Sequence, residues 1–260
     1  MTRVIKVGGR PQGDPTLATT LAAGWTRDGG GMVLVHGGGD EVTALQRAFG
    51  TTSSFVGGRR VTTAEDIELV RMALSGSANK RLVSTLVEQG ISAVGLSGED
   101  ASLISASPMD AQALGHVGVP HTINVAFLRH LLSGGYLPVI SPVSHNGSDE
   151  LGAALNVNGD DAAAAIAIAL GAAELLLVAD VPGVLRDGEV IQRLSLEEAR
   201  ALVCDGTARG GMQAKLHAAL TAVEGGVPQV RISDILAIDD LTRGTVLRCA
   251  AGVGGGGGLS

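Results

Sequence analysis

Aromatic side chains are almost missing from this chain: three Phe, one Tyr and one Trp among 260 residues. That excludes an aromatic platform for stacking bases. It also leaves the core to Ala, Val, Leu and Ile. Basic charge is short as well. Nineteen Lys and Arg stand against 26 Asp and Glu, a net charge of −7, so no basic face for nucleic acid is expected. The only cysteines, Cys204 and Cys249, show no metal-type spacing and no obvious partner, and read as reduced and structural. No apolar run is long enough to span a bilayer; the alanine-rich stretch Ala162 to Leu170 is too short. No signal peptide precedes the first apolar segment, so the expectation is a soluble, cytoplasmic protein with no membrane partner.

What is present is apolar aliphatic residue and glycine. Hydrophobic residues make up 45% and charged residues 17%, which supports a sizeable core and excludes global disorder. Glycine occurs 39 times, about twice its usual share. Two glycine stretches stand out. Lys6-Val7-Gly8-Gly9 follows Arg3-Val4-Ile5, and His36-Gly37-Gly38-Gly39 follows Met32-Val33-Leu34-Val35. Both read as buried strands ending in glycine turns. Asp40, a good N-cap, opens a helical pattern with Val42, Leu45 and Phe49 on one face. Glycines between a strand and a helix leave backbone N–H groups pointing outward, where the helix dipole favours an anion. Lys6, at the end of an apolar strand, fits that use. Two turns that carry glycine for steric reasons alone remain the alternative.

Along the chain, Gly13-Asp14-Pro15 predicts a cap with Pro at the first helical position and a helix to about Arg27. Gly50 to Arg60 reads as a hairpin or a mobile loop. Thr62 or Thr63 caps a helix to about Leu74, and a second helical pattern runs from Ala78 to Glu88. Ser92 to Leu96 is a strand. Leu103 to His121 has turn residues without a clean period and suits short strands of a side hairpin. Asn124 to Leu132 is helical. Leu137 to Val143 is a strand whose pairing is limited near Pro138 and Pro142, and Asn146-Gly147-Ser148-Asp149 is a turn. Asn158 to Leu170 is an alanine-rich helix. Leu175 to Val178, Val230 to Ile232 and Thr245 to Leu247 are strands. Ser195-x-x-Glu198 has capping-box spacing, and Gly211 to Val223 is helical. Alternating strands and helices predict an α/β fold: a three-layer sandwich with a mostly parallel central sheet covered by helices on both faces. A composition shift near Gly171 divides the chain into residues 1–171 and 172–260 on one shared sheet, with a mobile glycine-rich tail at 252–260.

Four further features carry chemistry. Gly58-Arg59-Arg60-Val61-Thr62 places an arginine pair ahead of a helix, a bidentate fork for a carboxylate or else a solvated surface pair. Asn156-Val157-Asn158-Gly159-Asp160 brings polar groups to the start of the alanine-rich helix, for a site or for N-capping. Gly210-Gly211-Met212-Gln213-Ala214-Lys215 leads glycines into a helix with a lysine one turn in. Asp180 ends an apolar strand, where open α/β sheets place ligand groups. No G-x-x-x-x-G-K-[ST] is present, so this is not a Walker-type loop.

Together these motifs resemble the amino acid kinase family, and its acetylglutamate branch most. Ala93-Val94-Gly95-Leu96-Ser97-Gly98, Leu114-Gly115-His116-Val117-Gly118, Gly135-Tyr136-Leu137-Pro138-Val139-Ile140 and Asp180-Val181-Pro182-Gly183 extend the match from about Val4 to Ala222. The resemblance implies ATP-dependent phosphorylation of the side-chain carboxylate of N-acetyl-L-glutamate, in arginine biosynthesis, with ATP and Mg²⁺ as cofactors and the metal held mainly by the ATP phosphates. Lys6 and Lys215 would neutralise the phosphoryl group in flight, and Asp160 would hold both lysines. Gly8, Gly9, Gly38 and Gly39 would offer N–H groups to phosphate and acceptor. Arg60 and Asn156 would bind the acyl-amino acid. Lys6, Asp180, Gly211 and Lys215 would meet the nucleotide. Residues 1–171 would form the lobe for acyl-amino acid binding and dimerisation, and residues 172–260 the ATP lobe. The segment Arg10 to Asp14 departs from the usual family loop. A kinase for a carrier-linked aminoadipate or glutamate derivative, in lysine or ornithine biosynthesis, and a non-catalytic amino-acid sensor stand as alternatives. In arginine-inhibited relatives a helix ahead of the first strand links dimers into rings; here the chain reaches Arg3 at once, so a homodimer insensitive to arginine is expected.

Overall fold

The computed structural model describes residues 1–147 and 154–248. Cys249, the glycine-rich tail and Ser148-Asp149 of the expected turn lie outside the described residues. The strands are β1 (Arg3–Val7), β2 (Met32–His36), β3 (Phe55–Val56), β4 (Arg59–Arg60), β5 (Ala93–Gly98), β6 (Ile104–Pro108), β7 (Val117–Ile123), β8 (Leu137–Asn146), β9 (Ala154–Val157), β10 (Glu174–Val178), β11 (Leu185–Arg186), β12 (Glu189–Val190), β13 (Arg193–Leu194), β14 (Val230–Ser233) and β15 (Thr245–Leu247). The helices are α1 (Leu17–Arg27), α2 (Gly39–Ala48), α3 (Ala64–Arg71), α4 (Asn79–Glu88), α5 (Ala111–Leu114), α6 (Val125–Ser133), α7 (Gly159–Leu170), α8 (Leu196–Cys204) and α9 (Gly210–Glu224).

One sheet of 11 strands runs β13-β15-β14-β10-β1-β2-β8-β6-β7-β9, with β5 also on β8. Its centre, from β14 through β10, β1 and β2 to β8, is parallel. Antiparallel pairs occur between β14 and β15, β6 and β7, and β8 and β9. The strand period of two divides the central side chains between two layers. Val4, Val33, Val35, Leu175 and Leu177 pack in one core with α7 and α9. Ile5, Val7, Met32, Leu34, Leu176 and Val178 pack in another with α1 and α4. Both faces are therefore covered, as two-sided apolar strands require. The alanines of α7 allow it to lie close on β1 and α9.

Several local expectations are corrected. Leu103 to His121 is not a side hairpin: β6 and β7 belong to the main sheet. The N-cap of α2 is Gly38 rather than Asp40, which occupies the first turn, where its charge still suits the dipole. Thr16 caps α1, Pro15 lies outside it, and Asp14 instead accepts from the Thr16 N–H and hydroxyl. The two helical patterns after Thr63 form one rod, α3 and α4 joined by a π-helical segment, Met72–Ala78. β9 was not anticipated from the sequence. Gly50 to Arg60 does contain a hairpin, Phe55 opposite Arg60 and Val56 opposite Arg59. The prolines of β8 limit its pairing on one side only: with β2 it is confined to Val139 and Ile140, between Pro138 and Pro142, because Pro offers no N–H to a ladder, whereas the pairing with β5 runs through Pro138, opposite Val94.

Candidate active site

The site lies where β1 and β2 end and α7 begins. Lys6 shares a face with Val4, the face that α7 covers, so alternation alone sends its ammonium toward the first turn of that helix. There it meets Asp160, 3.0 Å away. Asn158 caps α7 by accepting from the Asp160 N–H at 2.8 Å. Gly159 is glycine for a steric reason: a Cβ there would lie 3.1 Å from Lys6 Cε. From α9, Lys215 Nζ approaches both Asp160 oxygens, at 3.2 and 3.3 Å. Lys6, Asp160 and Lys215 are all buried.

Burial works against the Asp160 charge, but the Lys6 and Lys215 ammonium groups outweigh it and hold the carboxyl below its ordinary range. Burial, followed by repulsion from Lys6, brings Lys215 down to about 8. Two cations share one anion, so the cluster carries net positive charge in a protein that is negative overall. His36 is fully buried, and burial takes its pKa down to about 4. Its Nδ1–H donates to Gly37 O at 2.9 Å, and its Nε2 accepts from the Asn79 amide at 3.0 Å. The amide orientation of Asn79 is set by two backbone carbonyls that also need its N–H groups, Val139 O at 2.9 Å and Leu96 O at 3.3 Å.

A cavity of about 200 Å³ opens beside the cluster, lined by Lys6, Gly38, Gly39, Arg60, Asn156 and Asp160 among others. That is smaller than the space drug-sized ligands occupy. Its apolar wall includes Val42, Phe55, Val70, Leu74 and Val117. Arg60 is strongly held. Its Nη1 donates to Gln46 Oε1 at 2.6 Å and to Ser53 Oγ, and its Nη2 to Gly39 O at 2.8 Å and Thr43 Oγ1 at 2.9 Å. Its guanidinium also lies over the Phe55 ring, 4.9 Å from the centroid. The Asn156 amide donates to Thr62 Oγ1 at 3.0 Å, whose hydroxyl donates to Arg60 O.

The fold thus gathers Lys6, Gly38, Gly39, Arg60, Asn156 and Asp160 on one cavity, and Lys215 joins through Asp160. Gly8 and Gly9 do not line the cavity, though Gly9 packs against Gly38, which does. Asp180 and Gly211 do not line the cavity; Asp180 is exposed and pairs with Arg10 at 3.2 Å. Residues that sequence reasoning passed over include Gln46, Asn79 and Gln12. Gln46 had a readable signal: it stands four residues after Val42, on the inward face of α2, and both are buried.

A profile described as the amino acid kinase family matches residues 1–234. The chain belongs to the amino acid kinase family. It is 42% identical over 232 residues to the acetylglutamate kinase of Geobacillus kaustophilus (strain HTA426), covering 89% of each chain. It is also 42% identical over 248 residues to that of Roseiflexus sp. (strain RS-1), covering 95% of this chain and 93% of the relative. Among solved structures, the smu.665 protein of Streptococcus mutans UA159 superposes with a TM-score of 0.85 at 28% identity, covering 96% of this chain and 99% of that one.

Proposed function

We propose that this protein transfers the γ-phosphoryl group of ATP to the side-chain carboxylate of N-acetyl-L-glutamate, giving the acyl phosphate, a step of arginine biosynthesis. The observation that carries the reading is the buried Lys6–Asp160–Lys215 cluster beside a small cavity with both polar and apolar walls. The 42% identity to acetylglutamate kinases supports it. A carboxylate nucleophile is already ionised near neutral pH, so no general base is needed. Catalysis reduces to alignment and charge stabilisation. Lys6 and Lys215 are the cations for the phosphoryl group in flight, and Asp160 sets their separation. The N–H groups of Gly8, Gly9, Gly38 and Gly39 serve the same charge. Both Arg60 terminal nitrogens are engaged with protein, so Arg60 meets the α-carboxylate through Nε or by exchanging a hydroxyl partner. Asn156 contacts the substrate's α side.

Mg²⁺ enters with the nucleotide in this reading. Asp160 is engaged by both lysines, and no cluster of three or more His, Cys, Asp or Glu suited to a metal occurs among the described residues. Asp180 and Gly211 then serve the nucleotide, residues 1–171 the acyl-amino acid and residues 172–260 ATP. Two copies form a homodimer, which light scattering tests. Among the described residues no helix is long and apolar enough to cross a membrane. The deciding experiment is coupled ADP release with N-acetylglutamate, other N-acylglutamates and a carrier-linked aminoadipate. Turnover with N-acetylglutamate is expected. Turnover only with the carrier-linked acceptor would replace the substrate, and none with any acceptor would leave a sensor.

A further inference from the structure

The last backbone rung between β1 and β2 is the bond from Gly37 N–H to Val7 O, 2.9 Å. Beyond it the two glycine loops run side by side. A Cβ on Gly9 would lie 3.5 Å from Gly38 Cα and 3.6 Å from Gly39 N, so the backbones nearly touch. The 3₁₀ turn Arg10–Gly13 follows directly, and its Gln12 turns back over both loops. The Gln12 Nε2 group donates to Gly8 O at 3.1 Å and to Gly37 O at 2.8 Å. One amide therefore uses both hydrogens to tie the first loop to the second, as a further rung made by a side chain.

The consequence follows from peptide geometry. Among the described residues every peptide bond is trans, and in a trans peptide the C=O of one residue and the N–H of the next point in opposite directions. Holding Gly8 O therefore aims the N–H of Gly9, and holding Gly37 O aims the N–H of Gly38. Gly37 O is held twice, since the His36 Nδ1–H also reaches it, at 2.9 Å. Gly38 lines the cavity beside Lys6. We infer that Gln12 is a positioning residue for phosphoryl transfer: it fixes the two peptide planes whose N–H groups, Gly9 and Gly38, receive the phosphate oxygens. This rests on the phosphotransferase reading above.

Two substitutions test it. Gln12→Leu keeps the bulk and removes both donors. With that variant kcat should fall by about 10- to 100-fold, the usual effect of a small misplacement, while KM for N-acetylglutamate and the urea midpoint stay near wild type. Gln12→Glu sets a carboxylate against two carbonyl oxygens, which favours its protonated form. Protonated, it donates one bond, so its activity relative to wild type should rise as pH falls; a merely structural contact would give no such ratio. A folded Gln12→Leu with kcat unchanged, or a Gln12→Glu ratio flat with pH, overturns the proposal while active wild type leaves the kinase reading intact. An arm independent of turnover uses ¹⁵N-glycine-labelled protein without substrate. The Gly9 and Gly38 amide signals should broaden or split in Gln12→Leu, and unchanged signals overturn the proposal even if wild type proves inactive.

Discussion

Lys215 is the residue whose environment makes the sharpest statement. Its pKa of about 8 places loss of its charge inside the range an assay covers. On the proposed mechanism the free enzyme needs that cation for the incoming phosphates, so kcat/KM should fall as pH rises through about 8. Bound phosphate favours the charged lysine, so the matching limb in kcat should lie higher. Stability has the opposite sign. Between about 8 and the ordinary lysine value of 10.5 the unfolded chain binds more protons than the folded one. The contribution of Lys215 to stability therefore improves with pH there. Lys215→Ala should lower kcat by about 10²-fold or more and remove the limb. A kcat/KM profile that stays level through about pH 9 would show that Lys215 does not titrate near the site.

At the scale of elements, the rod α3–α4 does more than cover the sheet. Its π-helical segment, Met72–Ala78, delivers Asn79 to the end of β2. π segments of this kind are often found at functional sites. Asn79 joins β2 through His36, β5 through Leu96 O and β8 through Val139 O. Asn79→Ala leaves these buried acceptors without their donor, at a cost of about 1–3 kcal/mol. Urea unfolding should show that loss, and kcat of the folded fraction should drop less than in Lys215→Ala. Equal stability would mean that water replaces the amide. The pairing of α7 with β1 is the second device. Alanine on α7 and glycine at 159 let the helix start close to Lys6, and a bulkier helix would hold Asp160 out of reach.

Across the whole molecule, the proposed chemistry and a buried ion-pair network occupy opposite ends of the same strands. The C-terminal ends of β1 and β2 carry Lys6 and the glycine loops. At the N-terminal ends, Arg3 sits opposite Glu174 in the β1–β10 register. Arg3 Nε meets Glu174 at 2.7 Å and Arg231 Nη2 meets it at 2.8 Å, with Gln229 adding a bond at 2.7 Å. Burial opposes the Glu174 charge, and the two guanidinium groups prevail and lower its pKa. Glu174→Gln leaves the buried Arg231 short of its anion, while Arg3 keeps Asp28 at 2.9 Å; breaking a buried pair typically costs about 3–5 kcal/mol. The expected result is a large drop in the urea midpoint with kcat and both KM values unchanged. A change in KM for ATP or N-acetylglutamate would show that the two ends are coupled.

The sequence by itself determined the alternation of strands and helices, because two-sided apolar runs such as Met32 to Val35 and Leu175 to Val178 are compatible only with a covered, mostly parallel sheet. It also marked Lys6 as a candidate, since a lysine at the end of an apolar strand lacks a packing reason, while Asp160 at the start of the alanine-rich helix read equally as a cap. The capping box at Ser195 was legible as well, and the cap at Thr62 or Thr63 to within a residue, because a cap acts over three positions; the box that Thr63 forms with Asp66 was not read. Tertiary structure alone decided the rest. The place of β6, β7 and β9 in the main sheet depends on pairing partners far along the chain, which no local period encodes. The meeting of Lys215 with Asp160 spans 55 residues, and Gln12 reaches a carbonyl 25 residues further along, Gly37 O. Each depends on direction and distance in space. A half-exposed glutamine after a glycine pair carries no periodic or charge signal that would mark it in advance.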